Sequence, residues 1–276
     1  MAYHRSTNHL SATNQSNQSA HSAAQLSRRD LDQMDYASLR SAVEAIVQLV
    51  EESIVLCGVE FRWHKVADPD GLLTEAVGQS ELPATDVDPF WAVAWRAAQG
   101  LDHYLDRFDL TGLRILELGA GAGHAGLAAA ARGAQVTLTD AVDLALLVAR
   151  LNSWPVKSRV TFSRLRWGDG VLSTPSFPLI ISSDLVYDPN HFPQLELCAR
   201  QHLAAGGRWV LSEPNRHTGD RFARWIVDAG WKCEVHNLDL SDQRIAIRIF
   251  DCQRLDDAPV AACSRSTGKG QTFSGQ

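Results

Sequence analysis

The chain has little cysteine, no surplus of positive charge and no long apolar run, and each shortage closes off a class of protein. Its five cysteines, Cys57, Cys198, Cys233, Cys252 and Cys263, are scattered, odd in number and never in C-x-x-C spacing. That excludes a disulfide framework or a cysteine zinc site and points to reduced thiols in a cytoplasmic setting. Lys and Arg number 26 against 32 Asp and Glu, a net charge of -6, so broad electrostatic binding to nucleic acid is not expected. No stretch approaches the roughly 20 apolar residues that cross a bilayer. The opening segment, rich in Ser, Asn, Gln and His, lacks the apolar centre of a secretory signal. The ten histidines are dispersed, and Asp102-His103 and His191 have no second ligand close in sequence, so surface histidines and no metal are the expectation.

What is present suffices for one α/β domain, since 45% of the 276 residues are hydrophobic. Residues 1–29 read as a disordered tail, 30–110 as a helical and strand extension, 111–254 as the core and 255–276 as a second flexible tail. In the extension, Leu39, Val43, Ile46, Val47 and Val50 recur at helical spacing. Phe61 to Val66 predicts a strand and Asp68-Pro69-Asp70-Gly71 a turn. Asp88-Pro89-Phe90-Trp91 then leads into a helix through Leu105, with Trp95, Ala98, Leu101 and Leu105 along one face.

The most informative stretch is Arg114-Ile115-Leu116-Glu117-Leu118-Gly119-Ala120-Gly121-Ala122-Gly123, followed by Val136-Thr137-Leu138-Thr139-Asp140. It reads as strand, glycine turn, Ala-rich helix, strand and terminal acid. Such a turn offers bare backbone N–H groups and a helix N-terminus to a ligand, and the acid can hold a ribose hydroxyl pair. Those are the needs of an adenosine-containing cofactor. Gly121 to Gly126 also satisfies G-x-G-x-x-G with Asp140 about 20 residues on, as a dinucleotide site would. Glu117 within the turn favours S-adenosyl-L-methionine, because a carboxylate there suits a methionine ammonium and repels a pyrophosphate.

Beyond Asp140 the alternation continues with a helix at Asp143 to Asn152 and strands at Val160 to Ser163 and Leu179 to Ser183. Helix, strand and helix follow at Pro193 to Leu203, Arg208 to Ser212 and Asp220 to Ala229. Lys232 to Leu238 and Arg244 to Phe250 have no helix between them and predict an antiparallel hairpin. The expected fold is α/β: a class I methyltransferase, Rossmann-like, doubly wound sheet of seven strands with a C-terminal antiparallel hairpin. Little chain remains for the substrate domain that a nicotinamide dehydrogenase adds.

The fourth core strand runs into Ser182-Ser183-Asp184-Leu185-Val186-Tyr187-Asp188-Pro189. Ligands of a doubly wound sheet sit outside the strands' carboxyl ends, so Asp184 and Tyr187 are the candidate catalytic residues. Methyl transfer to an amine requires the neutral base. A free lysine is deprotonated only about once in 2,500 at pH 7, a penalty of roughly 4.6 kcal/mol. A nearby sulfonium charge and desolvation lower that penalty, whereas Asp184 raises it, so Asp184 is assigned to gripping and aiming the amine. Tyr187 would wall the channel with its ring facing the cation.

These motifs, with Phe90-Trp91-Ala92-Val93-Ala94-Trp95-Arg96-Ala97-Ala98 upstream and Leu165-Arg166-Trp167-Gly168-Asp169 after the third core strand, resemble the seven-β-strand protein lysine methyltransferases. That group modifies heat-shock chaperones, valosin-containing protein and the β subunit of electron-transfer flavoprotein, and the likeness spans Phe61 to Phe250. It implies a protein substrate. By position it implies that Trp95 borders the cofactor, that Gly119, Ala120 and Gly121, with Gly123 closing the turn, wrap its methionine end, and that Asp140 takes the ribose. It further implies that Trp167 flanks the adenine and that Ser183 touches the cofactor beside strand four. Glu213-Pro214-Asn215-Arg216 resembles an acid-Pro-Gly-Arg segment of the flavoprotein branch with Asn215 in place of glycine, and reads equally as a plain turn.

Three other functions remain open from the residues. A small-molecule N-methyltransferase would use the same amine chemistry, and a noncatalytic binding module would keep the fold without turnover. Base-modifying amino-methyltransferases place paired prolines where this chain has Leu185-Val186, which disfavours a nucleic-acid substrate. Oligomeric state is not readable from the pattern.

Overall fold

The computed structural model describes residues 28–78, 89–93, 96–173, 176–240 and 246–255. The expectations for residues 1–27, for 256–276 and for Trp95 lie outside the described residues. In chain order the first elements are α1 (Arg28–Gln33), α2 (Tyr36–Glu44), β1 (Leu49–Leu56), β2 (Val59–Val66), α3 (Pro69–Gly78) and α4 (Arg96–Leu105). The core continues with β3 (Arg114–Leu118), α5 (His124–Ala131), β4 (Gln135–Asp140), α6 (Asp143–Asn152), β5 (Val160–Arg164) and β6 (Phe177–Ser183). It ends with α7 (Phe192–His202), β7 (Leu203–Glu213), α8 (His217–Asp228), β8 (Trp231–Leu238) and β9 (Ile247–Arg254).

Strands β3 to β9 form one seven-stranded sheet in the order β5-β4-β3-β6-β7-β9-β8. Only β9 runs against its neighbours, pairing antiparallel with β7 and β8. The central strands are apolar on both faces, as parallel strands covered by helices must be. Ile115 on one face of β3 joins a core with α4, α5 and the β1–β2 hairpin, while Leu116 and Leu118 on the other join α7 and α8. The alanines of α5, Ala125, Ala128, Ala129 and Ala130, are fully buried, which lets this helix lie close on the sheet. In α8, Gly219, Phe222 and Ile226 recur at helical spacing and are the residues turned inward. The strand order reverses at the parallel β3–β6 pair, so the crevice expected of such sheets opens above the carboxyl ends of these two strands.

The N-terminal half differs from the sequence expectation in three places. Arg28 and Arg29 open α1 rather than closing a loose tail. The helix carrying Leu39 and Val43 stops at Glu44, and Val50 belongs to β1, which pairs along its whole length with β2. Alternation in Val50-Glu51-Glu52-Ser53-Ile54 is too weak to announce a strand, because this hairpin has one largely exposed member. Asp68-Pro69-Asp70-Gly71 is a helix start: the Gly71 N–H donates to Asp68 Oδ1 at 2.8 Å, and Pro69 opens α3. At the other end β9 begins at Ile247 and continues past Phe250 to Arg254.

Candidate active site

The turn after β3 carries Gly119, Gly121 and Gly123 at φ values of 62°, 53° and 95°. Two of these glycines are required by close approach as well as by conformation. A Cβ on Gly119 would lie 2.6 Å from the Leu185 side chain, and one on Gly121 would lie 3.2 Å from the Trp91 carbonyl oxygen. Asp140, at the end of β4, shapes the same turn. Its Oδ2 accepts from the Gly121 N–H and its Oδ1 from the Val142 N–H, both at 2.9 Å. Burial raises the Asp140 pKa, and these backbone donors pull against that rise.

The turn forms one wall of an open cavity of about 620 Å³, within the range of cofactor sites. Gly119, Ala120, Gly121, Gly123 and Asp140 line it from the β3–β4 side. Trp167, Ser183, Asp184 and Tyr187 line it from the loops after β5 and β6.

Glu117 departs from the expectation. Strand alternation puts it on the Ile115 face, toward α5 and away from the cavity. There the Gly126 N–H donates to its Oε2 at 2.9 Å, while Oε1 has no partner. Burial pushes its pKa up to about 8. Glu117 is therefore a neutral acid beneath the turn and offers no carboxylate to an ammonium in the cavity.

Asp184 sits in the left-handed region at φ 57°, with its N–H donating to the Ser212 carbonyl oxygen at 2.8 Å. Its side chain is 4% exposed, and both oxygens accept from the Arg216 guanidinium, Oδ2 from Nη2 at 2.9 Å and Oδ1 from Nη1. Arg216 is itself anchored: its N–H donates to Glu213 Oε2 at 2.6 Å, and its carbonyl oxygen accepts from Arg248 Nη2 at 2.7 Å. Arg248 Nε donates to Glu213 Oε1 at 2.5 Å and Nη1 to Asp220. Glu213 to Arg216 is thus more than a surface turn. Asn215 takes φ 55°, a conformation that glycine and asparagine share, so its replacement of glycine leaves the turn intact.

Several wall residues were not found from the sequence. Tyr187 packs edge-on to Phe90 at 5.9 Å and to His191 at 6.3 Å, and His191 lies 6.2 Å from Trp167. His191 is thus part of the cavity wall, although dispersed histidines gave it a surface reading. Trp63 and Lys65 reach the cavity from β2. Asn152 explains how: its Nδ2 donates at 3.2 Å to the carbonyl oxygens of His64 and Ala122, tying the hairpin to the glycine turn. No local spacing signals a contact between residues so far apart in the chain.

The arrangement fits an adenosine-containing sulfonium. The glycine cradle would be filled by any Cβ, Asp140 presents an acceptor at the end of β4, and aromatic rings flank the far end.

Comparison with known proteins agrees. A family described as "Lysine methyltransferase" matches residues 88–223. Protein N-lysine methyltransferase METTL21A of Danio rerio is 35% identical over 161 residues, covering 55% of this chain and 73% of that protein. Histone-arginine methyltransferase METTL23 of Rattus norvegicus is 33% identical over 186 residues, covering 63% and 77% respectively. Among solved structures, the S-adenosyl-L-methionine complex of the glycopeptide N-methyltransferase MtfA shares the fold. It has a TM-score of 0.50 and 15% identity, over 56% of this chain and 93% of that one. The chain belongs to the lysine methyltransferase family, with the class I α/β fold and S-adenosyl-L-methionine as its cofactor.

Proposed function

We propose that this methyltransferase modifies the side-chain amine of a protein lysine, with Asp184 and Tyr187 at the transfer end of the cavity. The observation that carries the reading is the Asp184–Arg216 pair set in the cavity wall after β6, beside Tyr187. Gly119, Ala120, Gly121 and Gly123 would wrap the methionine end of the cofactor, and Asp140 would accept from the ribose hydroxyls. Trp167 would flank the adenine, Ser183 would touch the cofactor beside β6, and Trp95 would border the cofactor. Glu117 would hold the turn from below.

Bound there, S-adenosyl-L-methionine supplies an electrophilic methyl carbon on a cationic sulfur. The protein's task is to deliver a neutral amine in line with it. An isolated carboxylate at Asp184 would stabilise the ammonium form and add to the roughly 4.6 kcal/mol deprotonation penalty. Arg216 cancels that pull. The pair is close to neutral, so Asp184 aims the amine through hydrogen bonding without holding its proton, which leaves to solvent. The rings of Tyr187 and Phe90 line the approach and disfavour water around the nitrogen.

The test is transfer of labelled methyl from the cofactor into a cell lysate, followed by hydrolysis of the labelled protein. Methyl-lysine that Asp184→Asn abolishes supports the proposal. Methyl-arginine would move the acceptor toward the activity named for METTL23, and label in a soluble metabolite would favour a small-molecule substrate. No label would leave a binding module. The unpaired thiols of Cys57, Cys198, Cys233 and Cys252 support work in a reducing compartment, the cytoplasm. No described helix is long and apolar enough to cross a membrane.

A further inference from the structure

Arg96 opens α4 and lines the cavity, yet its guanidinium Nε and Nη2 are both shut off from solvent without a hydrogen-bond partner. No other arginine among the described residues has an orphaned buried nitrogen. A buried cation with two unused donors is costly unless an anion completes it, and the cost is recovered when a carboxylate takes both donors.

Placement selects the anion. The Pro89–Ala92 turn just before α4 packs on the glycine turn, with the Trp91 carbonyl oxygen directly above Gly121. Arg96 follows that turn in the chain and lines the same cavity as the stretch of wall assigned to the amino-acid end of the cofactor, where a carboxylate must be housed. Other cations in the wall are engaged or remote. Lys65 Nζ is bound to Glu52 at 2.6 Å, and Arg166 stands beside Trp167 at the opposite end, 3.5 Å from Asp169. We propose that Arg96 is the receptor for the α-carboxylate of S-adenosyl-L-methionine and selects amino-acid-bearing cofactors over other adenosine thioethers.

This rests on the cofactor and is independent of the acceptor, so a binding experiment tests it whatever protein is methylated. Calorimetric titration would compare S-adenosylhomocysteine with its decarboxylated analogue in the wild type, Arg96→Ala, Arg96→Lys and Arg96→Gln. The wild type should prefer the carboxylate ligand by at least tenfold, the scale of a charge-assisted hydrogen-bond pair. Arg96→Ala and Arg96→Gln should lose most of that preference while binding the decarboxylated analogue within about twofold of the wild type. Arg96→Lys should retain part of it. Equal weakening of both ligands in all variants would make Arg96 a structural residue, and unchanged binding of both would assign its donors to the acceptor side; either result overturns the proposal.

Discussion

Two buried glutamates flank β6, one in β3 and one at the end of β7, and they are put to opposite uses. Glu117 has a single backbone donor, no cation, and a pKa pushed up to about 8. Glu213 is also buried, and burial raises its pKa too, but the Arg216 N–H and Arg248 pull against that rise. The first is a neutral hydrogen-bonding group that fixes the shape of a turn. The second is an organising charge, and through Arg216 it sets the environment of Asp184. Desolvation is common to both, so the presence of a cation decides the role.

Breaking the charged side should have the largest effect. Arg248→Ala leaves Glu213 buried without its cation and releases the Arg216 carbonyl oxygen, at a cost of about 3 kcal/mol. Denaturant unfolding should show that loss, and turnover should fall at least tenfold as Arg216 loosens from Asp184. A variant within experimental error of the wild type would mean that the cluster is not organising. Gly219 belongs to the same cluster, because a Cβ there would lie 2.6 Å from Glu213 Oε1.

On the uncharged side, Glu117→Gln exchanges a protonated acid for its near-isostere. The folded-state pKa of about 8 lies above the unfolded value of 4.5, so the folded chain holds a proton that the unfolded chain has released. Stability should therefore fall as pH rises through that window, by roughly 2–3 kcal/mol between pH 5 and pH 7 from this group alone. The glutamine variant should lack this slope and equal or exceed the wild type at pH 7 and above. Unfolding curves across pH check it, and parallel slopes for the two proteins would show that Glu117 does not titrate as described.

Arg216→Gln sharpens the comparison at the reacting end. It removes the charge opposite Asp184 while keeping a hydrogen-bonding side chain, so the ammonium form of the acceptor is stabilised and the alkaline rise of the pH–rate profile should move upward by about half a unit to one unit. Cofactor affinity should stay within about twofold, because no role at the cofactor is assigned to Arg216. A fall in rate with an unmoved profile would give Arg216 a purely positional task.

The two glutamates also mark what could be read from the chain. Glu117 stands in a compact motif, so the strand, the turn and the sheet were legible, and so were Asp140, Asp184 and Tyr187 as residues at strand ends. The direction of the Glu117 side chain was not, because the motif's spacing fixes the backbone but not which strand face meets α5. Glu213, Arg216 and Arg248 come from the end of β7, the following turn and β9, and only sheet pairing brings them together. Trp63 and Lys65 escaped for the same reason: their hairpin reaches the cavity through Asn152, 88 residues after His64. Local patterns record what neighbouring residues do, and an ionic cluster built across strands leaves no such pattern.

Asn215 offers the smallest and most discriminating change. At φ 55° glycine is relieved of Cβ strain but loses more backbone entropy on folding, so Asn215→Gly should alter stability by no more than about 0.5 kcal/mol and leave turnover unaltered. Asn215→Ala should cost about 1 kcal/mol, since alanine lacks the local hydrogen bonding that lets asparagine occupy the left-handed region. If the turn serves only to present Arg216, the pH–rate profile of both variants will match that of the wild type. A shift in the profile of Asn215→Gly would instead show that the rigidity of this one residue helps hold the guanidinium on Asp184.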